Sequence, residues 1–238
     1  MCGRYTLHTE KEALAERFDF DPAALAALQP RYNIAPTESV LTVRATGGRR
    51  EPRLMRWGLV PWFAKEIGDQ AQMINARVET LVEKPAFRDS LRARRCLIPA
   101  DGFFEWQSAS GPRKHRLPHF VGRGDGEPFA MAGLFAEWRP KGQLLEEILL
   151  SCAIVTTAAN AAVASLHDRM PVILPRAAEA RWLDPTLDGD TAALLALLAP
   201  VPAGELRAYP VSRRVNSVKN DDASLLERDD SEPSLGFF

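Results

Sequence analysis

The chain has 238 residues, of which 46% are hydrophobic and 26% charged, and its formal net charge is −1. This is the composition of a soluble globular protein long enough to fold without disulfide or metal staples, and the near-zero charge means that a polyanion would have to be met by a local patch. Three widely spaced cysteines (Cys2, Cys96, Cys152) and four scattered histidines argue against a disulfide framework or a zinc site; no signal-peptide or transmembrane run is visible, so a reducing, cytoplasmic setting with no membrane role is expected.

Residues 2–7 read as a short strand. Thr9 and Glu12 have the spacing of a capping box, which predicts a helix through about Phe18. Asp21-Pro22 opens a second, shorter helix with proline at its first position. Strands are expected at 39–45 and 52–57, followed by an irregular Pro- and Trp-containing segment over 60–73. Residues 85–94 form a basic helix, and 95–99 and 102–107 two strands bent apart at Ala100-Asp101. Gly124-Asp125-Gly126 predicts a hairpin turn joining strands 117–121 and 129–138. A buried strand at 148–157, a short helix at 158–166 and an apolar strand at 170–174 follow. Helices at 177–183 and 191–198 precede a last strand at 206–211. The acidic segment 221–238 is expected to fray.

Many short strands joined by turns too short for parallel crossovers predict an α+β fold. The expected architecture is a single domain with a curved, mostly antiparallel sheet or barrel-like core flanked by short helices. It would run over residues 1–227, with 228–238 as an acidic tail.

Cys2 carries the most specific chemistry. Removal of Met1 would place an α-amine and a thiol on one residue, with reference pKa values of about 7.7–8.0 and 8.5, so both have nucleophilic forms near neutrality. Such an aminothiol can trap an aldehyde as an imine and then close a five-membered thiazolidine through sulfur. Taken alone, Cys2 reads more simply as a small residue at a frayed terminus.

The segments 2–5 (CGRY), 31–36 (RYNIAP), 56–58 (RWG), 74–80 (INARVET), 96–106 (CLIPADGFFEW) and 167–171 (HDRMP) change that reading. Together with Pro210-Val211-Ser212, Val215-Asn216 and Asn220-Asp221, they resemble the SOS response-associated peptidase (SRAP) family in order and nearly over the whole chain. The resemblance implies a protein that shields abasic sites in single-stranded DNA by self-crosslinking through its N-terminal cysteine. It further implies removal of Met1, by the protein itself if the peptidase name is apt, with strand cleavage and crosslink reversal as associated activities. No metal or organic cofactor is expected, and the protein is expected to be a monomer.

The resemblance assigns Cys2, Asn75, Glu105 and His167 as the catalytic set. Alternation along a strand puts Phe103 and Glu105 on one face and Phe104 and Trp106 on the other. A carboxyl beside aromatic surface has a raised pKa and suits proton transfer, although an edge salt bridge is the plainer reading of Glu105 by itself. His167 has the reference pKa nearest neutrality, and Asn75 would orient the sugar or the Cys2 amine, although mid-loop asparagines usually cap turns. Arg4, Arg77 and Arg169 lie inside motifs and suit phosphate oxygens. Trp62 and Phe63 would wedge against bases flanking the lesion or, equally, fill the core, and Thr156 would touch the sugar or a phosphate. The arginines between 44 and 56 and the basic run between 84 and 95 read as solvated faces. Arg116-Leu117-Pro118-His119 departs from the family's Lys, any residue, Pro, then Tyr or Phe. The loop 64–73 also lacks a family pattern.

Two other classes compete. One is a cysteine peptidase or amidohydrolase that turns the same Cys2 on external substrates; the other is a non-catalytic nucleic-acid binding module. A Ser-His-Asp hydrolase is discounted, because no G-x-S-x-G elbow exists and Ser165 has no evident third partner.

Overall fold

The computed structural model describes residues 2–25, 28–67, 73–107, 116–139 and 148–231. A smaller sheet is built from β1 (Tyr5–Leu7), β2 (Arg31–Ile34), β7 (Gly102–Gln107), β8 (Leu117–Arg123) and β13 (Leu206–Pro210). Its strands lie in the order β13-β8-β7-β1-β2, antiparallel throughout. A larger sheet contains β3 (Ser39–Thr46), β4 (Arg49–Trp57), β5 (Asn75–Arg77), β6 (Arg95–Ala100), β9 (Phe129–Trp138), β10 (Leu149–Ala158), β11 (Arg169–Pro171) and β12 (Ile173–Leu174). In it, β10, β4, β3, β6 and β9 pair in sequence, and β9 pairs back to β10, so five strands close into a barrel. β5 and β11 extend along β10, and β12 along β9. The curved, mostly antiparallel α+β architecture read from the strand pattern is the one observed.

Closure explains the strand sequences. All six residues of β6 are buried, because the barrel interior lies on one side and helices on the other. Those helices include α2 (Pro85–Ala93) and α3 (Arg176–Leu183). Buried Arg95 ties them down: its guanidinium donates to the Leu91, Trp182 and Asp184 carbonyls and to the Asp188 carboxylate at 2.7–3.0 Å. It thereby satisfies carbonyls that two helix ends would otherwise bury without partners. The β3–β4 hairpin turns on Gly47 and Gly48, both at positive φ, as a tight turn matched to strand twist requires.

The smaller sheet is buried on both faces. Phe103 and Val121 face the barrel core, whereas Phe104, Phe120, Val211, Val215 and Leu225 form a second cluster on the far side. The alternation expected of Phe103 and Phe104 is therefore real, and each face has its own cover. Gly102 stands opposite Gly122 in the β7–β8 ladder. A Cβ at Gly102 would lie 2.2 Å from the Phe120 ring, so only glycine admits that ring.

Several local expectations are corrected. Helix α1 (Lys11–Phe18) has no capping box: Glu10 is its N-cap without a side-chain bond, and the Thr9 hydroxyl donates to Asp101. Long-range bonds from the His8 and Thr9 amides to the same carboxylate outcompete the local motif. The turn at 124–126 is not a hairpin, because β8 pairs with β7 and β13 while β9 joins the barrel; the glycines carry the chain from one sheet to the other. In place of the helix expected at 158–166, Ala158 ends β10 and residues 161–166 form successive turns. The apolar strand at 170–174 is broken at Val172, where pairing passes from β10 to β9. Residues 221–229 do not fray: Leu225 is fully buried, and the Asp229 amide donates to the Pro210 carbonyl. β2 was not anticipated, and Asn75, read as a loop residue, opens β5. Among the described residues, no helix is long and apolar enough to cross a membrane.

Candidate active site

The chain start lies where the two sheets meet. β1 pairs with β7, with Tyr5 opposite Phe103, and the Phe104 amide donates to the Arg4 carbonyl at 2.9 Å. The ladder therefore leads residues 2–4 along β7 towards Glu105. From the larger sheet, β5 lies parallel to β10 with Asn75 opposite Ile154, and the Asn75 Nδ2 donates to the Cys2 carbonyl at 2.9 Å. His167 ends the turns after β10 and precedes β11, which returns along β10. The chain's positive amino terminus acts electrostatically on Cys2, Glu105 and His167. The catalytic set read from the sequence is thus gathered in one place.

Cys2 is fully buried, and that burial, reinforced by Glu105, holds its thiol well above the ordinary range. The amino-terminal charge and the Arg4 backbone amide oppose the shift. Glu105 is 2% exposed. Burial raises its pKa first, and Asp168 adds to the rise, while the amino-terminal charge and the Trp106 amide pull it down. His167 moves the other way: burial and the positive terminus lower it, against an attraction from Asp168.

The His167 Nδ1 lies 2.9 Å from the Arg169 amide and 2.8 Å from an Asp168 carboxylate oxygen. A single nitrogen cannot both accept from the amide and donate to the carboxylate. The amide bond governs the neutral ring favoured by the lowered pKa, because Asp168 is 85% exposed and its pull is screened by solvent. The ring proton then sits on Nε2. A carboxyl pushed up and an imidazole pushed down are the environments that separate an acid from a base.

Asn75 Oδ1 is buried and has no hydrogen-bond partner among the described residues. It is an acceptor held in place by its own amide nitrogen's bond to Cys2. Among the described residues, no cluster of three His, Cys, Asp or Glu could hold a metal.

The other assigned residues fall into two groups. Trp62 and Phe63 are 62% and 43% exposed and meet edge-to-face at 5.7 Å, so they do not fill the core. Arg77 is exposed and acts electrostatically on Glu79. Arg169, by contrast, is engaged within the protein: its fork grips both Glu79 oxygens at 2.6 and 2.9 Å and reaches the Thr156 carbonyl at 2.6 Å. Thr156 is fully buried beneath it. Arg4 donates to Asn33 Oδ1 at 2.8 Å and to the Val215 carbonyl at 2.9 Å, and lies over the Trp106 ring. Arg4, Thr156 and Arg169 are thus set into the frame of the site.

Asn33, Arg31 and Asp221 form a clamp that motif reading named without a role. Buried Asn33 donates to the Ser217 and Asn220 carbonyls, while Arg31 pairs with Asp221 and Glu38. The clamp fixes the C-terminal segment over the small sheet and thus holds Arg4. His119 lies directly opposite Glu105 in the β7–β8 ladder, a juxtaposition that sequence reasoning did not anticipate. The available signal was its departure from the family pattern.

The chain matches the family model described as SOS response associated peptidase (SRAP) over residues 1–218. It is 41% identical over 229 residues to the abasic site processing protein YoqW of Bacillus subtilis, covering 95% of this chain and 99% of the relative. It is 33% identical over 236 residues to the abasic site processing protein YedK of Escherichia coli, covering 95% and 99%. With the abasic site processing protein HMCES of Rattus norvegicus it shares 31% over 277 residues, covering 95% of this chain and 75% of that protein. A solved protein from Bacteroides thetaiotaomicron has the same fold, with a TM-score of 0.83 at 24% identity over 96% of this chain and 100% of that one. A phage-related protein from Bordetella bronchiseptica gives 0.69 at 31% identity over 89% and 95%. A family match across nine-tenths of the sequence, with relatives of similar length above 30% identity, establishes that the chain belongs to the SRAP family.

Proposed function

We propose that this protein processes abasic sites in single-stranded DNA by capturing the lesion covalently on Cys2. The observation that supports this reading is a buried Cys2 whose carbonyl is held by Asn75 and whose thiol feels the Glu105 carboxyl. The relatives, named as abasic site processing proteins, point to the same lesion.

Hydrolysis of the Met1–Cys2 peptide bond consumes water and leaves the amine and thiol on Cys2. Ring opening of the abasic sugar exposes its C1′ aldehyde. The amine attacks that carbon, and Glu105, whose carboxyl burial biases towards the protonated form, gives a proton to the hydroxyl that departs as water and takes back the nitrogen's proton to leave a neutral imine. The thiol then adds across the resulting imine: sulfur bonds to carbon, its proton passes to nitrogen, and a thiazolidine closes. Asn75 Oδ1 orients the amine. Neutral His167, with its proton on Nε2, hydrogen-bonds the sugar or the adjoining phosphate. If a C2′ proton is instead lost from the open imine to water, the 3′ C–O bond breaks with the phosphate as leaving group and the strand is cleaved.

Trp62 and Phe63 offer stacking surface for bases beside the lesion, and Arg77 a phosphate contact. The test is incubation of processed protein with a single-stranded oligonucleotide bearing one abasic site, followed by a denaturing gel. A resistant adduct is expected from the wild type and from Cys96→Ala and Cys152→Ala, but not from Cys2→Ala. An undiminished adduct with Cys2→Ala overturns the proposal.

A further inference from the structure

Glu105 and His119 are direct partners in the β7–β8 ladder. Residues so opposed share a face of the sheet, with Cβ atoms about 5 Å apart. His119 in turn stands opposite Pro210 of β13. Both side chains are buried, at 2% and 7% exposure. His119 also lines a surface cavity of about 170 Å³ with Pro210, Ser212, Arg213 and Asp229 among its other walls. That is space for several water molecules. By strand order, Cys2 lies on the β1 side of Glu105, and His119 and the cavity on the β8–β13 side.

The ring is set up to receive a proton. Its Nδ1 lies 3.1 Å from the Leu117 carbonyl, an acceptor only, so Nδ1 carries the hydrogen and Nε2 the lone pair in the neutral form. Burial lowers the pKa of His119 and raises that of Glu105, so each is biased towards its uncharged form. The groups around the pair are few. The amino terminus, Cys2 and Asp168 act on Glu105. Arg213 and Asp229 share the cavity with His119, and Arg116 directly precedes β8.

Capture requires such an outlet. With a reference pKa of about 7.7–8.0, the Cys2 amine is mostly ammonium at neutrality and must shed a proton before it can attack. The thiazolidine nitrogen, bonded to a carbon that bears sulfur, is less basic and does not take the proton back. One proton therefore leaves per crosslink, while DNA covers the Cys2 side.

We propose that His119 is a proton-relay residue acting through Glu105: the Glu105 carboxyl hands its proton to His119 as it takes one from the Cys2 ammonium, His119 passes its proton to water in the cavity, and the path runs in reverse when the crosslink opens. This rests on the covalent-capture reading.

The test follows adduct formation by processed wild type, His119→Ala and His119→Gln across pH 6–8, with and without added imidazole. His119→Ala is expected to form adduct at least about tenfold slower at neutral pH. Imidazole, small enough for the vacated space, should restore the rate saturably, and His119→Gln, which cannot relay, should stay slow. Equal rates and pH profiles for wild type and folded His119→Ala overturn the relay, as does full recovery in His119→Gln. Absence of adduct from the wild type would instead defeat the capture reading. Independently of DNA, the His119 ring titration followed by NMR should shift on Glu105→Gln, and an unmoved titration overturns the pairing.

Discussion

Asn75 and Cys2 come from different sheets, yet the Asn75 Nδ2 donates to the Cys2 carbonyl at 2.9 Å while its Oδ1 stays buried without a partner among the described residues. One amide thus spends its donor on fixing the backbone of the nucleophile and keeps its acceptor for the reaction. Asn75→Ala removes both functions. Net loss of one hydrogen bond costs about 1 kcal/mol, so folding should survive. Adduct formation should slow by at least about tenfold, the cost of losing orientation at an attacking atom. Single-turnover gels and thermal melts separate the two effects, and a normal rate in Asn75→Ala would remove it from the mechanism.

Glu105 carries a stability cost that its role explains. Its folded pKa is raised above the unfolded value, so the folded state prefers the protonated acid. The stability tied to that proton is fully present below the unfolded carboxyl value of about 4.3 and is lost as pH rises through the folded pKa. Glu105→Gln should therefore melt higher than wild type at neutral pH, with the difference vanishing below about pH 4. The same variant should form adduct more slowly and lose the alkaline fall in rate that ionisation of Glu105 causes. A Glu105→Gln protein less stable than wild type at pH 7 would show that the carboxylate is a structural ion-pair member instead.

The sequence was most legible where periodicity or pattern is local. The alternation of Phe103, Phe104, Glu105 and Trp106 identified two faces correctly, and Pro85 placed the start of α2. It was least legible where the partner is remote. Thr9 has the spacing of a capping box, but Asp101 takes its hydroxyl and amide from about ninety residues away. The glycines at 124–126 suit a hairpin, yet cross between sheets, because β8 finds β7 and β13 while β9 is claimed by the barrel. The four residues proposed as catalytic were named by resemblance alone, since no spacing along the chain predicts that β5 and β7 meet at the first residues.

Arg77 and Arg169 both sit in motifs, but the structure separates what their loss should do. Arg77 is exposed, so reversing its charge should weaken binding to any single-stranded sequence. The slope of log affinity against log salt should shrink by about one. Arg169 is committed to Glu79 and the Thr156 carbonyl, so Arg169→Ala should leave the salt slope nearly unchanged. It should instead lower stability and misplace His167, whose Nδ1 accepts from the Arg169 amide. Fluorescence anisotropy at several salt concentrations decides the matter: a slope change for Arg169→Ala matching that of Arg77→Glu would make Arg169 a phosphate ligand.

Trp62 and Phe63 leave large apolar surface in water, which internal packing does not require. Replacing either by alanine removes little buried contact, so melting temperature should change hardly at all. If bases stack there, each substitution should cost about 1–3 kcal/mol of single-strand affinity, roughly fivefold to a hundredfold, for any sequence, since every base has a π-face. The loss should be smaller for duplex DNA, whose bases are already stacked. Anisotropy with matched single- and double-stranded oligonucleotides measures both. Trp62→Ala and Phe63→Ala that bind single strands as wild type does would move the lesion's neighbours away from this edge, to a path led by Arg77 alone.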